Sequence, residues 1–336
     1  MTSKILTLAG AASIALGSAS ASGQTQIKFA SFVFPQAELN TKVFAPFISA
    51  VNDELKGAVE IKLFAGGTLG RDPAQQYKLV RDKVAEMGYI VQGYTPGDFP
   101  DVTIFDLPFL VENSMEGSVG HWRLHEKALM RGYDKIKVIS LFTLPAYSLH
   151  TVPPISKIDD IKGLKIRSTG PYQGAAIEAL GGTPVGGILI TQVTEALSRG
   201  VIQGSVADYG GMAAFKYDTI AKHHVDVPMG TASAGVVMNL DVWNGLPANA
   251  RAAIDKRAGL QMSRRHGEEF DKNYNTHLQR MKSDPSHKFL PLSAADRADI
   301  RKRMQPVIDG WIKEDKDNKK RYDAMIAIVE DIRKGR

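Results

Sequence analysis

The sequence predicts an α/β fold built on mostly parallel sheets covered by helices. The first observation behind this is the stretch 162–204, which alternates strand and helix signals. Leu164, Lys165, Ile166 and Arg167 alternate between two faces, the turn Ser168-Thr169-Gly170-Pro171 breaks the strand, and a small-residue helix follows over 172–180. Gly181-Gly182 stops that helix and Thr183-Pro184-Val185 opens an extended segment. A further helix over 192–199 is closed by Gly200, ahead of a strand at Val201-Ile202. Strand–helix–strand–helix–strand is the rhythm of a parallel sheet under helices. The second observation is size: 336 residues, 43% hydrophobic and 23% charged, suffice for two domains with their own cores.

Taken in order, residues 1–21 have the form of a secretory signal. Lys4 supplies the positive start, residues 5–16 the apolar run, and Ala19-Ser20-Ala21 a small-residue cleavage site. No other run reaches the ~18 apolar residues of a membrane span. The absence of cysteine excludes disulfides and a lipid-modified cysteine, so a soluble periplasmic product without a lipid anchor is expected. The net charge of +6 is scattered, with no basic cluster interleaved with aromatics, which argues against nucleic acid as a partner.

Beyond the signal, a strand over 26–34 ends at Pro35-Gln36, and an amphipathic helix over 38–55 and a strand over 59–63 follow. The Gly-rich turn at 64–70 lacks the Lys and Ser/Thr of a phosphate loop and reads as a tight turn. A helix over 73–83, a strand over 85–91, a helix over 114–132 and a strand over 137–141 come next, and 146–151 crosses toward a second lobe. Helices are expected over 248–275, long and unbroken, then over 294–311 and 319–333. His121 and His125 share a helix face but lack the H-E-x-x-H pattern. His223 and His224, near Asp226, point to opposite faces of a strand. Packed or solvated histidines are the better reading, and neither metal nor cofactor is expected.

Three motifs recur in order: DIKGLKIR at 160–167, ALGGTPV at 179–185 and GVIQG at 200–204. They resemble the core of the DctP-type substrate-binding proteins that serve tripartite ATP-independent periplasmic (TRAP) transporters. TLG at 68–70, GYTPGDFP at 93–100, LPFL at 107–110, YDTIAKHH at 217–224 and VMNLDVWNGLP at 237–247 extend the resemblance over nearly all the chain after the signal. It implies a two-lobed periplasmic binding protein fold, each lobe a mostly parallel sheet flanked by helices, with a long helix packing against both lobes. The implied division is 24–145 plus 232–272 for lobe I, 146–231 plus 273–300 for lobe II, and 301–336 as C-terminal helices packing on the outside. It also implies function: capture of a small carboxylate between the lobes, closure, and delivery to the membrane permease subunits of a TRAP transporter.

Arg167 is the leading site candidate. It ends a strand at the sheet edge where ligands of open α/β folds bind, and a guanidinium fork matches a carboxylate. The residues alone leave ligand contact and a surface or Asp-paired arginine equally open; the resemblance, in which this arginine holds the ligand carboxylate, selects contact. Tyr94, Phe34 and Tyr209 are candidate walls, and Ser148, Thr169, Asp208 and Asn239 candidate polar contacts. The chain departs from the family pattern in three places: Asp98 replaces an arginine, Ala207 replaces a ligand amide, and no arginine occurs between Arg131 and Arg167. A dicarboxylate would therefore lack a second cation, unless Lys28, Arg71 or Arg123 reached the cleft, so an apolar or aromatic monocarboxylate fits better. A C4-dicarboxylate or keto acid, a periplasmic sensor partner, the binding protein of an ATP-driven importer, and a small-acid hydrolase or isomerase are the alternatives. No cysteine, G-x-S-x-G or marked carboxylate pair supports catalysis.

Overall fold

Residues 24–336 are described by the computed structural model; the expected signal segment lies outside them. In chain order the strands are β1 (Thr25–Ala30), β2 (Val59–Phe64), β3 (Met87–Val91), β4 (Ile136–Thr143), β5 (Ser148–Thr151), β6 (Lys165–Arg167), β7 (Thr183–Val185), β8 (Gly204–Ala207), β9 (His223–Val225), β10 (Ser233–Asn239) and β11 (Lys288–Phe289). They form two sheets, ordered β2-β1-β3-β10-β4 and β11-β9-β5-β8-β6-β7. Each sheet is the core of one lobe.

Both sheets are mostly parallel, and each is made mixed by one reversed strand, β10 in the first and β5 in the second. β1 runs parallel to β2 and β3, but β10 is antiparallel to both β3 and β4. In the second sheet β6 is parallel to β7 and β8, whereas β5 is antiparallel to β8 and β9. The reason is connectivity. β4 runs straight on into β5, and β9 into β10, with no helical crossover to restore a parallel direction. These two links are strand-to-strand passages between the lobes, and they lie side by side. Leu144 N donates to Ala232 O at 3.0 Å, Tyr147 N to Gly230 O at 2.8 Å, and Met229 N to Tyr147 O at 2.8 Å.

Local chemistry shifts several expected elements. Helix 38–55 opens as a wide π turn, Leu39–Phe44, before the α-helix Ala45–Glu54. Pro46 has no N–H for the Lys42 carbonyl, which instead accepts from Arg265 Nη2 at 3.0 Å. The expected strand at Val201-Ile202 begins later, at Gly204, because Gly200 adopts φ +69° and the chain turns there, leaving Val201 exposed. The long helix expected over 248–275 is two helices, Ala248–Asp255 and Leu260–Ser283. Gly259 (φ +80°) separates them, and its N–H donates to Ile139 O at 2.8 Å.

The 24-residue helix Leu260–Ser283 spans about 36 Å and reaches both lobes. In the first lobe Gly267 seats on the Met115 backbone, and in the second Asn273 packs on Gly210 so tightly that a methyl there would overlap it. At the C-terminus, Ala294–Glu314 packs on the second lobe's helix Pro171–Ala179 and Asn318–Arg333 on the first lobe's helix Ser114–Glu126.

Candidate ligand-binding cleft

A cavity of about 320 Å³ lies between the lobes. Arg167 enters it from the end of β6 and is only 1% exposed. Its Nε donates to Ile188 O at 2.9 Å, Nη1 to Thr169 Oγ1 at 3.1 Å and Nη2 to Tyr94 Oη at 3.3 Å. Three of the five guanidinium donors are thus used, all on neutral oxygens. Among the described residues Arg167 joins no ion pair, whereas the other buried guanidinium, Arg321, lies 3.2 Å from the Asp101 carboxylate. A buried cation without a counter-ion is costly, and it is a standing receptor for an anion.

Tyr94 comes from the first lobe, after β3, and accepts from both Arg167 and Ile190 N (3.4 Å), so it joins the lobes across the cleft. The first lobe supplies an aromatic wall. Phe32 stacks on Tyr89 (centroids 5.1 Å, planes 15° apart), Tyr89 on Phe142 (6.0 Å, 10°) and Phe142 on Phe270 (5.8 Å, 29°). Phe32, Tyr89 and Phe270 line the cavity. From the second lobe Gly210, Gly211, Ala213 and Ala214, on the short helix Tyr209–Ala214, leave the space open.

Arg167 is the one lysine or arginine lining the cavity among the described residues; Lys28, Arg71 and Arg123 lie elsewhere. The other charged linings are acids. Asp208 is 3% exposed and accepts from Gly211 N at 2.8 Å. Burial pushes its pKa up to about 6, against the pull of backbone N–H groups at Gly211, Asp208 and Gly210. Glu38 is held below its usual range, first by its hydrogen bond with Lys42 (2.6 Å), against desolvation, and then by Asn273. Glu269, Asn273 and His277 line the cavity from the long helix.

The structure brings Arg167, Thr169, Tyr94 and Asp208 together, Thr169 standing behind the guanidinium it accepts from. It takes four other candidates away from the cavity wall. Phe34 sits outside, 53% exposed, with its ring 6.0 Å from Phe215, which does line the space. Tyr209 is fully buried in the second lobe, its ring 5.0 Å from His150 and 5.2 Å from Tyr274. The cause is Asp208, which caps the helix and turns the next side chain inward. Ser148 donates to Asp226 at 2.8 Å and lines a separate groove behind the interlobe links. Asn239, at the far end of β10, caps the helix Leu240–Gly245 and donates to Val80 O at 3.1 Å. Asp98, the reversed charge, is exposed and lines no part of the cleft. Phe32, Tyr89, Phe270 and the polar face of the long helix were missed; the i, i+4 repeat of Glu269, Asn273 and His277 was the available signal.

The histidines have structural partners. His121 is buried between Tyr133 Oη (2.9 Å) and Phe142 O (3.3 Å). His150, His224 and His287 form a chain: His150 Nδ1 is 2.8 Å from His224 Nδ1, and His224 Nε2 is 2.7 Å from His287 Nδ1. Among the described residues no group of three or more His, Cys, Asp or Glu is arranged to hold a metal ion.

Residues 29–315 match the family described as bacterial extracellular solute-binding protein, family 7 (DctP). The chain belongs to this family. A curated relative, the C4-dicarboxylate-binding periplasmic protein DctP of Rhodobacter capsulatus, is 26% identical, covering 90% of each chain. Among solved structures, this family-7 protein is similar to a marine-metagenome TRAP solute-binding protein specific for aromatic acids, in complex with metahydroxyphenylacetate. They share 26% identity and a TM-score of 0.84, over 92% of this chain and 99% of that one. A TRAP solute-binding protein from Rhodoferax ferrireducens in complex with benzoate superposes with TM-score 0.85 at 24% identity, over 93% and 99%. The protein is thus a TRAP-type solute-binding receptor with the two-lobed fold of that group, a transport class and not an enzyme class. No helix among the described residues is long and apolar enough to cross a membrane.

Proposed function

We propose that this receptor captures an aromatic or apolar monocarboxylate in the interlobe cavity, with Arg167 as the carboxylate anchor, and passes it unchanged to membrane permease subunits from the periplasm. The observation that carries this reading is the buried Arg167 guanidinium with two N–H donors free and no counter-ion. A second carboxylate would meet Asp208, Glu38 and Glu269 with no further lysine or arginine to hold it, which weighs against a C4-dicarboxylate. The stacked wall of Phe32, Tyr89 and Phe270 suits a flat apolar body. The metagenome relative, 26% identical, also co-crystallised with 3-hydroxybenzoate, points the same way. Closure of the two lobes over the acid, with residues 24–145 and 232–272 moving against 146–231 and 273–300, completes the proposal.

A thermal-shift screen with benzoate, phenylacetate, succinate, malate and pyruvate tests it. Aromatic acids should raise Tm, and Arg167→Ala should lose the response while remaining folded. A mutant that responds like wild type, or stabilisation by succinate alone, overturns the assignment.

A further inference from the structure

Tyr94 stands on the first lobe and ends against the second. β3 stops at Val91, the short turn Gln92–Tyr94 follows, and buried Gln92 ties that turn down by donating to Tyr133 Oη at 3.1 Å. Tyr94 itself is half-buried and lines the cavity. A phenol oxygen offers two lone pairs and one proton. Arg167 Nη2 at 3.3 Å and Ile190 N at 3.4 Å, both of the second lobe, take the lone pairs. Among the described residues no acceptor takes the proton.

The loop 188–190 braces both partners. Ile188 O accepts from Arg167 Nε at 2.9 Å, and Ile190 opens the turn Ile190–Gln192, where a helix start leaves its N–H free for Tyr94. An unspent O–H thus stands 3.3 Å from a guanidinium nitrogen, and the guanidinium keeps two N–H donors of its own. Donors from two lobes converge, and what completes them is an acceptor-only anion. A bond of about 2.8 Å from Nη2 and one of about 2.6 Å from the phenol close a triangle with the 3.3 Å side, so one carboxylate reaches both. Phe34 and Phe215 also meet across the mouth, with ring centroids 6.0 Å apart, but present no polar atom to a ligand.

Resting on the monocarboxylate reading above, we propose that Tyr94 couples capture to closure: its O–H donates to the carboxylate held by Arg167, so the acid is gripped from both lobes at once. That bond exists only while the lobes are together. When they part, Tyr94 leaves with the first lobe and Arg167 alone holds the acid. The ligand therefore prefers the closed form, and this preference is what closes the receptor. Titration calorimetry and small-angle X-ray scattering with benzoate test this. The wild type should contract at saturation. Tyr94→Phe keeps the ring and loses only the hydroxyl; it should bind about tenfold or more weakly and, once saturated, contract less than the wild type. A tyrosine that merely propped Arg167 would lower affinity yet leave the saturated receptor fully contracted. Ile190→Pro removes the N–H that aims the phenol. Leu189 before it is already extended (φ −70°, ψ 152°) and a helix start accepts proline, so this second variant should fold and show the same reduced contraction. It keeps the test alive if Tyr94→Phe fails to fold. A Tyr94→Phe receptor that binds within about twofold of wild type or contracts as fully, or a wild type that binds without contracting, overturns the role of Tyr94 and leaves the Arg167 anchor standing. If benzoate and phenylacetate both fail to bind the wild type, the monocarboxylate reading falls and the coupling with it.

Discussion

Arg167 and Asp106 are opposite solutions to burying a charge. Arg167 keeps its cation and spreads it over three neutral oxygens, whereas Asp106, 7% exposed, gives its charge up: burial pushes its pKa to about 8. The Asp106 side chain abuts Gly170 of the second lobe, where an added methyl would overlap the carboxyl, and Gly230 packs on its backbone. Between the ordinary 3.8 and about 8 the folded chain holds a proton that the unfolded chain has released, so stability falls as pH rises through that window. Asp106→Asn, which mimics the protonated form, should flatten this decline when urea midpoints are compared between about pH 6.5 and 8.5. Equal slopes in the two proteins would mean that Asp106 is ionised throughout. Arg167 was legible because it ends a strand inside a recognisable block. Tyr209 was misread because its direction depends on a cap formed by the residue before it, and Asn239 because a cap and a ligand contact use the same amide.

Elements were legible where periodicity decided them and illegible where one backbone angle did. The run from 248 to 283 reads as one amphipathic helix until Gly259, whose positive φ breaks it and aims the longer piece across both lobes. That conformation suits glycine, and a Cβ there would come within 3.3 Å of Trp122. Gly259→Ala should destabilise the protein by about 1 kcal/mol or more in urea unfolding, and should weaken ligand binding by misplacing Glu269 and Asn273. Unchanged stability would show that the junction relaxes without strain. The π turn at Leu39–Phe44 was similarly hidden. Pro46 hints at a break, but the Arg265 that takes the freed carbonyl is far away in sequence.

At the scale of the molecule, composition and the ordered motifs revealed two lobes with mostly parallel sheets, while the one reversed strand in each, β10 and β5, followed from how the links run and had no signature in any single strand. The histidines set the acid limit. All eight have pKa values lowered chiefly by burial, His150 to about 4, His224 to about 2, and His121 and His266 to about 3. For such groups the unfolded chain binds more protons below about 6.5, so their contribution is complete above that value and is lost as pH falls. Against the opposite trends of Asp106 and Asp208, Tm should peak near pH 6.5 and drop steeply on the acid side. A Tm that rises steadily down to about pH 5 would sink this account.

The paired links between the lobes also fix the mechanics of the receptor. Two short antiparallel segments tied by backbone hydrogen bonds make a ribbon, which bends readily out of its plane but resists sliding along its length. Bending of that ribbon would swing the lobes like covers on a spine, and Tyr147, which lines both the cavity and the second groove, sits within it. A wedge placed in the rear groove would hold the covers at a set angle without ever touching the ligand.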